Sequence, residues 1–300
     1  MHHTNHWYGH AHVLAEYCGL DDTANPPRID GVLQHGWNVG SGLGPRTRRA
    51  PGKTVYVWSE QVRRRAWSMG LRETIVVGSP FLYLLATQAR DGVHPDDGPP
   101  REGTLWYPFH GWEKQSVEGD HERLIEEILA TEPGPVTFCL YWHEYGNPVI
   151  RAAYERAGRV ICNGYRGNLR EQTEQKFLHN QLAELRRHRR VASNRLSSAV
   201  MYGTAAGCTP AVYGDPMYLA EEDVATAQRI RRRWPELHGA DVDLAAARRT
   251  ALDELGDGYL ASPAELRTLL GWDDVAAIAP TARTEMTPAE MAPARVAVAA

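Results

Sequence analysis

No apolar run in this 300-residue chain is long enough to span a bilayer. The N-terminus also lacks the charged-then-apolar order of a secretory leader, so the sequence predicts a cytoplasmic protein without a transmembrane segment. Positive charge is not in excess: Lys and Arg total 33, Asp and Glu 37, and the formal net charge is −4. That balance argues against a general nucleic-acid binder. The four cysteines, Cys18, Cys139, Cys162 and Cys208, show no CxxC spacing. Three lie in or beside strand-like runs, where a buried reduced thiol is expected, as in the cytosol. The glycine-rich run NVGSGLGPRTRRAPG at 38–52 is not closed by GKS or GKT, which excludes a Walker loop. No array-type repeat is present.

Two apparent metal motifs also fall short. His2, His3, His6, His10 and His12 crowd the first twelve residues, but no carboxylate or cysteine joins them at a ligand spacing. They read as a ragged terminus leading into a helix over 9–20. Asp241-Val-Asp243 stands at the head of a helical run, where a cap is the expected role. No bound metal is predicted.

What is present is a regular alternation of strands and helices. In the first part strands are expected at 29–37, 54–58 and 74–77, with helices at 60–69 and 81–88. Ser59, Ser79 and Pro80 sit where helix N-termini need them. The run GVHPDDGPPREG at 92–103 is the boundary candidate. The pattern then restarts, with strands at 104–109, 135–142 and 159–163 and helices at 118–130, 148–157 and 171–187. Further helices are predicted at 221–234, 241–255 and 263–270. The last opens with Ser262-Pro263-Ala264-Glu265, a capping box. Residues 276–300 are Ala-, Pro- and Thr-rich and read as disordered. The expected division is 1–97, 98–220, 221–275 and a tail at 276–300.

The stretch VASNRLSSAVMYGTAAGCTPAVYGD at 191–215 reads as strand, tight turn, helix, glycine stop and second strand. Ser197 and Ser198 fall at the first helical turn. A helix N-terminus carries unpaired N–H groups and partial positive charge, which suits a phosphate.

These residues support a resemblance. Asn194, Arg195, Ser197 and Ser198, with the following YG…G…P run, resemble the donor-binding element of GT-B glycosyltransferases. QHGW at 34–37 resembles the acceptor-side loop of GT-B enzymes that build bacterial cell-surface polymers. YPFHGW at 107–112 is similar to the loop opening the C-terminal half in that superfamily, with Gly111 in place of a serine. The G-x-R loop at 164–166 resembles another donor-side loop. The resemblance covers roughly residues 9–272. It implies an α/β, GT-B-like fold: two Rossmann-like halves with a cleft between them and C-terminal helices that cross back to the first half.

The implied activity is transfer of a sugar from a nucleotide-activated donor, acting as co-substrate, to a hydroxyl acceptor. No other cofactor and no metal is implied. His35 would be the general base, since an imidazole titrates near neutrality. Gln34, Gly36 and Trp37 would face the acceptor; His110, Arg166, Asn194, Arg195, Ser197 and Ser198 would hold the donor. Two alternatives stay open: a polyol-phosphate transferase on the same scaffold, and a non-catalytic nucleotide-sugar-binding protein. The sequence does not decide whether the chain forms a homodimer.

Overall fold

The β-branched and aromatic runs of the sequence become parallel strands, and the C-terminal ends of five of them converge on one cavity. The computed structural model describes residues 3–37, 43, 52–95, 97–111, 115, 117–167, 174–220, 222–223 and 225–276. Most of the glycine-rich run at 38–52, Trp112, residues 168–173 and the tail beyond 276 lie outside the described residues.

The first half begins with α1 (His10–Tyr17) and continues as β1 (Val32–Leu33), β2 (Val55–Val57), α2 (Glu60–Ser68), β3 (Thr74–Val76) and α3 (Pro80–Arg90). The strands form a parallel sheet in the order β1-β2-β3. α1 starts later than expected because Tyr8 and Gly9 both have positive φ, 57° and 73°. The first strand shrinks to two paired residues, Val32 opposite Val55 and Leu33 opposite Tyr56. Ser79 caps α3 by accepting the Leu82 N–H at 3.4 Å, with Pro80 at the first helical position.

The second half contains β4 (Thr104–Tyr107), β5 (Val117–Glu118), α4 (His121–Thr131), β6 (Val136–Cys139), α5 (Trp142–Gly146), α6 (Pro148–Glu155), β7 (Arg159–Ile161), α7 (Phe177–Arg187), β8 (Arg190–Ser193), α8 (Ser198–Ala205), β9 (Thr209–Val212) and β10 (Tyr218–Leu219). Five of these strands form a parallel sheet in the order β7-β6-β4-β8-β9. The chain order reverses direction between β4 and β8. In open α/β sheets a ligand crevice forms outside the carboxyl ends of the strands at such a switch point.

Three boundaries in this half differ from expectation. Glu118 leaves the helix expected at 118–130 and, with Val117, pairs antiparallel with Tyr218–Leu219, so α4 starts at His121 under an Asp120 cap. Residues 174–176 form a turn in which the Phe177 N–H bonds to the Glu174 carbonyl, so α7 starts at Phe177. The strand expected at 135–142 ends at Cys139, and Trp142 already opens α5.

The chain ends with α9 (Ala225–Arg233), α10 (Leu244–Leu255) and α11 (Pro263–Leu270). Asp243 caps α10 as expected, accepting the Ala246 N–H at 2.9 Å. Ser262 and Glu265 complete the capping box of α11. These helices cross back to the first half. The Ser79 N–H bonds to the Leu255 carbonyl at 2.9 Å, the Trp272 indole to the Arg28 carbonyl at 3.2 Å, and the Tyr17 hydroxyl to the Ala261 carbonyl at 2.9 Å. One apolar core runs through both halves and these helices, from Leu14, Trp58 and Phe81 to Tyr202, Leu255 and Trp272. Two parallel sheets, an intervening cavity and returning C-terminal helices make the α/β, GT-B-like arrangement that the resemblance implied. No helix among the described residues is long and apolar enough to cross a membrane.

Candidate active site

The site is built on the segment that leaves β1. Gln34 is fully buried and braces the turn: it accepts the Trp58 N–H at 2.8 Å and donates to the Gly36 carbonyl at 3.1 Å. It does not line the cavity, which corrects its expected acceptor-side role. Its amide is spent on holding the loop, so that His35, Gly36 and Trp37 project beyond the sheet. The Trp37 N–H then donates to the Ser198 hydroxyl at 3.0 Å. The Trp37 indole donates to Glu254 Oε2 at 2.9 Å, and Trp234 donates to the other oxygen of the same carboxylate at 2.9 Å. Arg65 completes the set at 3.4 Å from Oε2. Burial lowers the Arg65 pKa, against the pull of Glu254.

A cavity of about 330 Å³ lies between the halves. His35, Gly36 and Trp37 line it from one side; His110, Arg166, Arg195, Ser197 and Ser198 line it from the other. These expected site residues therefore share one space.

Their surroundings differ residue by residue. Ser197 is the N-cap of α8 with extended backbone, yet its side chain makes no capping bond. The Ser197 hydroxyl therefore does not cap the first-turn N–H groups of α8, at the cavity wall. Behind it, Gly203 lets α8 lie close on β8: a Cβ there would come within 2.5 Å of Val191. The Arg166 guanidinium lies over the rings of Trp7 and Tyr141, 5.2 and 5.6 Å from their centroids. His110 stacks on Tyr141 at 4.1 Å, and its Nδ1 donates to the Gly111 carbonyl at 2.7 Å. With Nδ1 protonated, a neutral ring carries its basic lone pair on Nε2. The Gly111 N–H in turn donates to buried Glu144 at 2.9 Å.

Two expected donor contacts are corrected. Arg195 is almost fully buried, lies 4.0 Å over Phe109 and gives both guanidinium ends to Glu222 at 2.7 Å. Burial, the largest single influence, pushes the Glu222 carboxyl up, but the Arg195 bonds, the Leu219 N–H and the Arg195 charge together lower its pKa. This charge is already matched within the protein, which removes it from phosphate binding. Asn194 is also buried; it accepts the Phe109 N–H at 2.7 Å and donates to the Asp215 carbonyl at 2.7 Å. It fastens the loops after β4, β8 and β9 together and faces away from the main cavity.

Sequence reasoning missed the aromatic wall. Residues 3–9, read as a ragged terminus, form a 3₁₀ segment packed on β1. Asn5 holds it there, donating to the Gly31 carbonyl at 3.0 Å and accepting the Leu33 N–H at 2.9 Å. Tyr8 lines the cavity and Trp7 packs edge-on against His35 at 4.0 Å. A periodicity search passes over such a segment because it forms no long helix or strand. Glu254 was also missed; its one signal is a carboxylate set among the apolar positions Ala251 and Leu255 of α10. His6 and His12 meet at 3.4 Å, but no group of three or more potential metal ligands occurs among the described residues.

No protein-family model and no curated protein matches the chain. Among solved structures the chain is similar to the UDP-GlcNAc 2-epimerase from Neisseria meningitidis, with 8% identity, a TM-score of 0.38, and coverage of 73% of this chain and 60% of that one. It is also similar to Os79 from O. sativa, solved with UDP, with 14% identity, a TM-score of 0.34, and coverage of 72% and 49%. A third is the wall teichoic acid polymerase TagF, with 12% identity, a TM-score of 0.31, and coverage of 73% and 53%. The chain thus spans between 49% and 60% of the length of these proteins.

Proposed function

We propose that this protein is a glycosyltransferase that moves a sugar from a nucleotide-activated donor to a hydroxyl acceptor, with His35 as general base. The observation that carries the reading is the shared cavity: the N-terminus of α8 meets the loop bearing His35 at the switch point of the larger sheet.

The chemistry of the lining supports it. Among the described residues no Asp, Glu or Lys lines the cavity. Burial lifts the thiols of Cys139 and Cys162 above their usual range, and the phenols of Tyr107 and Tyr202 likewise. His35 and His110 are then the lining side chains whose ordinary titration range lies near neutrality. The N-terminus of α8 and the Arg166 guanidinium both stand at the cavity wall, where positive potential favours an anionic leaving group.

The step balances as a direct displacement. The acceptor O–H proton passes to His35 while its oxygen bonds to the anomeric carbon. The anomeric carbon–oxygen bond to phosphate breaks, and that electron pair leaves on the nucleotide phosphate, next to α8 and Arg166. The nucleotide-sugar is a co-substrate in this scheme.

The test uses the full chain with a panel of UDP-, GDP-, dTDP-, ADP- and CMP-sugars, reading thermal shift for binding and nucleotide release for turnover. A donor that binds and is turned over by the native protein, and that binds His35→Gln without turnover, is the expected result. Undiminished turnover by His35→Gln would reject His35 as the base. Absence of binding across the panel would reject the transferase reading.

A further inference from the structure

His6 and His12 lie six positions apart in the chain. A helix turns such a pair to different faces, and a strand would hold it about 20 Å apart. The backbone brings the two rings together by folding back between them. Trp7 is extended, at φ −57° and ψ 136°, and Tyr8 and Gly9 are both left-handed, at φ 57° and 73°. α1 then starts at His10 and returns His12 to the segment it left. His6 Nδ1 stands 3.4 Å from His12 Nε2, and the rings meet edge-on with centroids 5.3 Å apart.

His12 is oriented as a ligand. Its Nδ1 lies 2.9 Å from the Thr23 carbonyl, which can only accept, so Nδ1 carries the proton. The lone pair of the neutral ring is then on Nε2, the atom that faces His6. A carbonyl on the far ring nitrogen is the usual support of a metal-binding histidine. Burial lowers the His12 pKa against the raising effect of the Thr23 bond, so the ring is neutral at pH 7. His6 presents a matching lone pair when its proton sits on Nε2, a change of tautomer only.

The separation of the two nitrogens selects the metal. At 3.4 Å they stand further apart than in a well-formed hydrogen bond. Two nitrogens each about 2.1 Å from a tetrahedral ion lie about 3.4 Å apart; adjacent square-planar ligands at that bond length lie about 3.0 Å apart. Among ions that imidazole suits, zinc takes the tetrahedral arrangement, whereas Cu(II) and Ni(II) take the square one.

We propose that His6 Nδ1 and His12 Nε2 bind a zinc ion. No third histidine, cysteine or carboxylate joins the pair among the described residues, so water takes the other two positions. The site stands independently of the transferase reading, yet it bears on the cavity. Trp7 and Tyr8, between the two ligands, pack on His35, and the Tyr8 N–H donates to the Arg166 carbonyl at 3.1 Å. Bound zinc pins this wall to α1.

Calorimetric titration of the metal-free full chain with zinc chloride tests this, and hydrogen exchange locates the effect. One ion is expected to bind with Kd of about 10 μM, weaker than a four-ligand site, and amide exchange should slow over residues 5–13. His6→Gln and His12→Gln should each raise the Kd at least about tenfold. The His6 side chain is only partly buried, so His6→Gln guards against a loss caused by misfolding. The double variant His2→Gln/His3→Gln should bind zinc as the native chain does. Cobalt(II) in place of zinc should show the intense visible bands of a four-coordinate ion. Binding that persists in both His6→Gln and His12→Gln, that is lost with His2 and His3, or that leaves exchange over 5–13 unchanged would overturn the inference.

Discussion

The backbone N–H of Trp37 donates to the hydroxyl of Ser198 at 3.0 Å, joining a loop of the first half to the first turn of α8 in the second. The same hydroxyl lies 3.5 Å from the Trp37 carbonyl. Ser198 is thus a tie across the cleft as well as part of its wall. Ser198→Ala leaves a partly buried N–H unsatisfied and should cost about 1–3 kcal/mol in urea denaturation. If Ser198 served the donor alone, stability would be unchanged and nucleotide affinity would fall instead.

Glu254 receives two indole N–H groups and one arginine in the interior. Glu254→Leu strands all three donors and should destabilise the fold by about 3–5 kcal/mol. Glu254→Gln keeps an acceptor oxygen and should cost less. Tryptophan emission should shift to the red in the leucine variant, because Trp37 and Trp234 lose their shared partner. An unshifted spectrum with native stability would show that the carboxylate does not fix the loop.

Gly256 ends α10 at φ 80°, and a Cβ there would stand 1.8 Å from the Trp58 carbonyl oxygen. Neither the backbone conformation nor the space admits a side chain. Gly256→Ala is expected to lower stability by roughly 2–4 kcal/mol, because the returning helices must lift from the first half. Gly258 has open space at its Cβ position, so Gly258→Ala is the matched control, expected within about 1 kcal/mol of the native protein.

Burial lowers the pKa of His10 from its ordinary 6.5 to about 3. Between those values the unfolded chain holds a proton on this residue that the folded chain does not. Stability therefore falls as pH drops from 6.5 toward 3, with a slope approaching about 1.4 kcal/mol per pH unit from this residue, and is unaffected by it above 6.5. His10→Gln should flatten that acid limb. Denaturation midpoints measured between pH 4 and 8 check the sign; an identical acid slope in the variant would remove His10 from the explanation.

The features legible in the sequence are those written locally. The Ser262–Glu265 capping box, Pro80 behind Ser79, and Gly207 with φ 93° beyond α8 each depend on neighbours a few residues away. His35 and Ser197 in one cavity followed from reading strand ends as converging loops. The role of Arg195 was not legible, because the chemistry of a guanidinium does not reveal that Glu222 neutralises it. Gln34 and Asn194 failed for the same reason: an amide beside a site can face the ligand or pin the backbone, and only tertiary contacts decide. β1 is only two residues long, too short to carry a period of its own, so the strand expected at 29–37 overran it.

The segment at 3–9 changes what trimming this protein would mean. Asn5 occupies the edge of β1 with both ends of its amide, and two residues further on the chain presents Trp7 and then Tyr8 to His35. Shortening the leading residues for convenience in expression would remodel the pocket itself. Activity compared between preparations with and without residues 3–9 would then report on pocket shape before it reported on purity.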